Sequence, residues 1–174
     1  MDIIEIMQNR RSVRQYTDEA VPQALLEKVV QAGLLGMTGK NLHSWEFIVV
    51  RDKATLQAMG QFRAGAGNTV ANADCAIVVL GNEETSDIWV EDCSIAMAYM
   101  HLAADSLGLG SCWIQGRNRP APDGRSAEEA LRDVLGFPAS CRLEAILALG
   151  MPQQHPEPRG LDQLLTEKVH REHY

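Results

Sequence analysis

The sequence predicts an α+β fold, and three observations carry that expectation. Helical and strand-like segments are interspersed along the chain rather than collected into separate halves. Cys75–Leu80 and Leu143–Leu149 are apolar and short enough to be buried strands. One long periodic segment, from about Trp89 to Leu107, carries small and apolar residues on nearly all sides. At 174 residues the chain suits one domain, residues 1–174, with a C-terminal arm from about residue 151.

In order along the chain, Asp2 is placed to cap a short helix over Ile3–Asn9 whose apolar face is Ile3, Ile4 and Met7. Pro22 opens a second helix with Leu25, Leu26, Val29 and Val30 as its stripe. Leu34–Ser44, with Gly36, Gly39 and Asn41, reads as a loop. Trp45–Val50 is aromatic and β-branched and reads as a strand. Lys53–Gln61 reads as a helix, and Gly65-Ala66-Gly67-Asn68 as a mobile or specially bent segment. After the strand at Cys75–Leu80, the long helix needs cover on most sides, part of which a second subunit would supply. Gly108-Leu109-Gly110 stops it and leads into a strand over Ser111–Gln115. Gly116–Arg125 is a surface loop. Ser126 and Glu129 form a capping-box pattern for a helix ending at Leu135, which Gly136 and Pro138 stop. Leu143–Leu149 is the last strand, and a short helix is expected near Leu161–Val169 in the arm.

The formal charge of −7 argues against a nucleic-acid partner, because a polyanion would be repelled at long range. No run of eighteen uncharged apolar residues offers a membrane span, and charges at Asp2, Glu5, Arg10 and Arg11 interrupt any secretory signal, so the cytoplasm is the expected location. Cys75, Cys93, Cys112 and Cys141 lack metal-ligand spacing and sit in apolar runs, so they are expected to be buried and reduced. His170 and His173 read as part of a solvated tail, and no metal site is expected. Gly108–Gly110 lies between helix and strand, the reverse of the order that a dinucleotide-binding fingerprint requires.

Arg10-Arg11-Ser12-Val13-Arg14 is the most informative segment: three guanidinium groups and a hydroxyl lie within five residues, just past a helix end. A phosphomonoester offers several anionic oxygens, which arginine forks match with paired charge-assisted hydrogen bonds and a serine hydroxyl can supplement. A solvated basic helix end that complements the helix dipole would have the same composition, and spacing alone leaves both readings open.

The same segment resembles the opening signature of the FMN-dependent nitroreductase family. Three further blocks are similar to that family, in the right order. They are Thr38–Phe47, which is similar to its loop-to-strand block, Leu107–Gly116, which resembles the block passing the flavin ring, and Leu135–Pro138 followed by Ala145–Pro152, which resembles its late strand and exit. The resemblance implies a three-layer-like fold, with a central, mostly antiparallel sheet flanked by helices, in an intertwined homodimer whose two FMN sites are lined by both subunits. It implies that Arg10 and Ser12 bind the FMN phosphate, with Arg11 in the same cluster or turned toward other carboxylates. Arg14 would approach the ribityl chain or the pyrimidine edge, Met37, Thr38, Gly39 and Asn41 would reach the flavin from the other subunit, and Ile114, Gln115 and Gly116 would lie beside the ring. Arg159 would close over the phosphate. The implied activity is ping-pong hydride transfer from NADH or NADPH through flavin N5 to a nitroaromatic, quinone or similar small acceptor, with no catalytic side chain. A flavin-binding module without turnover, a store or sensor, is the competing expectation.

The chain departs from the family at His43-Ser44, where most members have Gln-Pro; without the proline the entry to the strand is less fixed. His43 reads as a loop histidine taking the glutamine's hydrogen-bond role more readily than as a catalytic group. Gly65–Thr69 offers no lysine to match the family's basic contact to the ring, for which Asn68 is a partial substitute.

Overall fold

The computed structural model describes residues 2–174. Its elements, in order, are α1 (Ile3–Asn9), α2 (Gln23–Leu34), β1 (Trp45–Val50), α3 (Lys53–Met59), α4 (Gly67–Ala71), β2 (Cys75–Asn82), α5 (Trp89–Ser106), β3 (Gly110–Gln115), α6 (Ala127–Leu135) and β4 (Cys141–Gly150). The four strands pair antiparallel in the order β1-β2-β4-β3, with β2 and β4 central.

Strand periodicity divides the core into two halves, one on each face of the sheet. Ala76, Val78 and Leu80 of β2 face α3, α4 and α6, where Leu56, Met59, Phe62, Val70, Ala127 and Leu131 meet them. Cys75, Ile77 and Val79 face α2 and α5, against Leu26, Val29, Met97 and Met100. Helices therefore lie on both faces of an antiparallel sheet, the layered α+β arrangement expected from the sequence. Covered on both sides, the central strands are near-continuous apolar runs. All four cysteines are free and buried, as expected, and burial pushes the Cys75 thiol up to about 12.

Capping residues set the helix ends where the sequence placed them. The Asp2 side chain accepts hydrogen bonds from the Ile4 and Glu5 amides at 2.6 and 3.0 Å, and Glu5 reaches back to the Asp2 amide. Ser126 and Glu129 exchange the same pair of bonds at the start of α6. Gly136 ends α6 at φ 71°, a left-handed cap that glycine adopts without strain.

Three elements differ from the expectation. β4 begins at Cys141, ahead of Leu143, because Arg142 is neutralised by Glu83 and Glu128 and Glu144 is absorbed by a bulge that sets Leu80 opposite Leu143 and Val79 opposite Ala145. The bent segment at Gly65–Asn68 turns into the five-residue helix α4, whose Gly67 lies so close to the Gly60 backbone that no side chain fits. Residues 161–169 form no α-helix but two 3-10 turns, Leu161–Gln163 and Thr166–Lys168. Leu161, Leu164, Leu165 and Val169 there are exposed, so the packing that usually stabilises a short amphipathic helix is missing within the chain.

Candidate functional site

The site is built where the two ends of the described chain run side by side. After α1 the backbone crosses the start of β3, where the Val13 amide donates to Ser111 O at 2.9 Å. The segment after β4 returns antiparallel to it: Thr17 donates to Met151 O, Gln153 to Gln15 O and Arg159 to Gln8 O, at 2.9, 3.1 and 2.9 Å. Gln8 Nε2 donates back to Arg159 O at 3.2 Å. Asp105, buried near the end of α5, ties the two segments together. Its Oδ2 accepts from Asn9 Nδ2 at 2.6 Å, and His155 Nε2 lies 2.8 Å from its Oδ1.

This stitching brings Arg10, Arg11, Ser12, Arg14 and Arg159 to the wall of one cavity of about 390 Å³, completed by Met7 and Pro156. Arg51, Arg125, Arg132 and Arg142 each hold a carboxylate, whereas none of the four cavity arginines forms an ion pair among the described residues. Four uncancelled guanidinium groups and a hydroxyl around one cavity, in a protein of net charge −7, form a local anion site against the global field. The donor set fits a phosphomonoester, which can take several charge-assisted bonds at once. A second cavity shares Ser12, Arg14 and Pro156 with the first and is also lined by Gln15 and Gln154.

Gln115 and Gly116 lie at the far end of β3 from Ser111, roughly 13 Å along the strand at its usual rise. Ile114 is buried in the core beside them. The Gln115 side chain is also engaged: Oε1 accepts from Trp113 Nε1 at 2.8 Å, and Nε2 faces the Glu144 carboxyl at 3.4 Å. Burial raises the Glu144 pKa and favours its neutral acid; its Oε2 is buried without a partner. Gly116 instead lines a separate cavity of about 300 Å³ with Trp89, Arg117 and Arg142. Arg63 reaches this region, donating to Gln115 O at 2.9 Å.

Met37, Thr38, Gly39 and Asn41 do not line the arginine cavity of their own chain. They occupy a strained loop in which Lys40, Asn41 and His43 all have positive φ, near 52°, 58° and 51°. Asp92, buried in α5, holds it: Oδ1 accepts from the Gly39 amide at 2.9 Å and Oδ2 from Ser44 Oγ at 2.6 Å. Met37 is exposed, and the His43 ring packs edge-on against Trp45.

Sequence reasoning did not single out Asp92, His101, Asp105 or Arg63. For the first three, the signal was available as charged or polar residues on a helix otherwise apolar around most of its circumference. His101 and Asp105 are four residues apart and share a face. Among the described residues, no group of three or more His, Cys, Asp or Glu side chains could hold a metal ion, and no helix is long and apolar enough to cross a membrane.

Comparison with known proteins adds four findings. The model of the nitroreductase family matches residues 7–67 and 60–151. A protein of Archaeoglobus fulgidus, provisionally named NADH dehydrogenase/NAD(P)H nitroreductase, is 32% identical over 98% of this chain and 98% of its own length. Among solved structures, an FMN-dependent nitroreductase of Clostridium difficile R20291 superposes with a TM-score of 0.95 at 39% identity, over 99% of this chain and all of the other. A provisionally named nitroreductase of Desulfovibrio desulfuricans in complex with FMN gives 0.76 at 26% identity, over 97% of each chain.

Proposed function

The chain belongs to the nitroreductase family, and on that premise we propose that it is an FMN-dependent oxidoreductase taking reducing equivalents from NADH or NADPH to a small organic acceptor such as a nitroaromatic or a quinone. The observation that carries the reading is the cavity in which guanidinium groups from both ends of the described chain meet with no carboxylate to cancel them. FMN, when bound, supplies a ring that accepts hydride at N5 and passes it on.

Everything else falls to the protein's own residues. Arg10, Ser12 and Arg159 bind the phosphate, with Arg11 adding charge at the rim. Arg14, which also lines the second cavity, faces the ribityl chain or the pyrimidine edge, where a cation offsets the negative charge of a reduced ring. Gln115 and Gly116 flank the ring with backbone atoms, since the Gln115 side chain is held by Trp113 and Glu144. No side chain is assigned as nucleophile or acid; positioning and charge stabilisation suffice, with protons drawn from water.

The working unit in this reading is a homodimer. α1, α2 and α5 leave an apolar groove of about 460 Å³ lined by Ile3, Ile6, Met7, Leu35, Tyr99 and Leu102, and Leu35 is 77% exposed. Exposed apolar patches of this kind mark docking surfaces, and a second copy supplies the cover that α5 lacks. The partner subunit's Thr38, the partner subunit's Gly39 and the partner subunit's Asn41 then complete the site, with the partner subunit's Met37 beside them.

Anaerobic reduction separates this reading from a flavin-binding module without turnover. The purified protein is expected to be yellow, to bleach rapidly with NADH or NADPH, and to recover its colour with menadione. A yellow protein that neither nucleotide reduces contradicts the enzyme, and a colourless one that cannot be loaded with FMN contradicts the cofactor as well.

A further inference from the structure

α5 places one histidine where an apolar helix has little reason to carry one. His101 is buried, and both of its ring nitrogens are engaged: Nε2 lies 3.1 Å from Arg10 Nη1, and Nδ1 meets Ser111 Oγ. A guanidinium has only donors, so Nε2 must accept, and the single proton of a neutral ring sits on Nδ1, from where it is donated to Ser111. Burial, and then the Arg10 charge, push the imidazole down to about 4, in keeping with a neutral ring. Ser111 is itself fixed, because its carbonyl accepts from Val13 and its backbone bridges Ser12 at the start of β3. The ring therefore spans from the strand under the cavity to the guanidinium in its wall.

From this geometry we infer that His101 is a positioning residue that aims Arg10 at the phosphate while leaving its charge uncancelled, an inference that rests on the flavin reading above. A carboxylate at the same place would also orient the guanidinium, but it would compete with the ligand for it. A neutral acceptor fixes the direction and leaves the positive charge and the remaining N–H groups for the anion. Holding a long side chain in its bound pose before the ligand arrives removes part of the ordering cost of binding. His101 touches no ligand in this arrangement; it acts through Arg10.

The test compares FMN with riboflavin, which lacks the phosphate, on the flavin-stripped full chain by fluorescence titration. It uses wild type, Arg10→Ala, His101→Leu and His101→Gln, with melting temperatures recorded alongside. His101→Leu is expected to weaken FMN about tenfold and leave riboflavin unchanged, since only the phosphate contact is disturbed. In His101→Gln, an amide that can accept from Arg10 and donate to Ser111 is expected to recover most of the loss. An equal loss for both flavins, or an unchanged FMN affinity in His101→Leu while Arg10→Ala is weakened, overturns the positioning role alone. An unchanged FMN affinity in Arg10→Ala removes the phosphate reading itself. Should His101→Leu not fold, Ser111→Ala frees the ring at Nδ1 and is expected to give a smaller loss selective for FMN; an unchanged ratio of the two affinities in that variant overturns the role as well.

Discussion

Replacing Arg10 and Arg159 together with alanine is expected to weaken FMN binding by at least about a hundredfold, because each charge-assisted bond contributes ~1.5–3 kcal/mol. Riboflavin affinity should change little, and the melting temperature should fall only by the effect of one lost buried hydrogen bond, that of Arg10 to His101. The two residues lie 149 positions apart and meet in one cavity only because the segment after β4 runs back along the one after α1. Neither forms an ion pair among the described residues, so removing them strands no buried carboxylate. The buried His101 Nε2 does lose its Arg10 partner, which costs about 1–3 kcal/mol, so the chain should still fold with reduced stability. The protein's net charge of −7 makes the local effect larger, since nothing in the overall field draws in an anionic ligand. Fluorescence titration with both flavins checks this, and an FMN affinity within a factor of about three of wild type would remove Arg10 and Arg159 from the site.

The second large effect is expected on the self-association that the proposed function requires. Removing residues 161–174 should raise the dimer dissociation constant by at least about a hundredfold and cause loss of flavin on dilution. Leu161, Leu164, Leu165 and Val169 are all exposed, with Leu165 at 65%, on a segment held by little more than its own 3-10 turns. Burying such side chains against a second copy would contribute ~1.5–3 kcal/mol each, less the cost of ordering the arm. Sedimentation over a range of concentrations, with flavin absorbance followed along the boundary, measures both quantities. A truncated chain that dimerises as tightly as wild type contradicts the arm's role, and a fully flavinated wild-type monomer contradicts the dimer.

Much of the fold was legible because its determinants are local. Asp2 with Glu5, Ser126 with Glu129, and Gly136 announce helix ends within a few residues of themselves. The central strands were visible as apolar runs because both of their faces are covered. What escaped depends on partners distant in sequence. Arg142 and Glu144 disguise the start of β4 until Glu83, Glu128 and the bulge opposite Leu80 are in place. Gly67 hides α4 because its close approach to Gly60 cannot be read from spacing. The arm reads as amphipathic, but the chain alone provides no surface to fold it against.

The candidate site divides in the same way. Arg10, Arg11, Ser12 and Arg14 lie within five residues, so their chemistry could be read directly, although spacing alone also allowed a solvated basic helix end; in the structure Arg159 lines the same cavity. Asp92, His101 and Asp105 reveal their purpose only when the elements they hold come together. Asp92 fixes the strained loop of Gly39 and Ser44, His101 fixes Arg10, and Asp105 ties Asn9 to His155. One helix that pattern reading treats as core filling thus organises both the arginine cavity and the loop assigned to the partner's site. Its apolar composition reflects its burial, and its few polar residues carry the positioning.

The most direct measurement is a crystal structure of the full chain grown with FMN. The account predicts the flavin phosphate among Arg10, Ser12 and Arg159 of one subunit, with the ring extending toward Gln115 and Gly116 and the partner subunit's Asn41 beside it. A phosphate bound elsewhere, with these guanidinium groups splayed into bulk water, would contradict the account at its root.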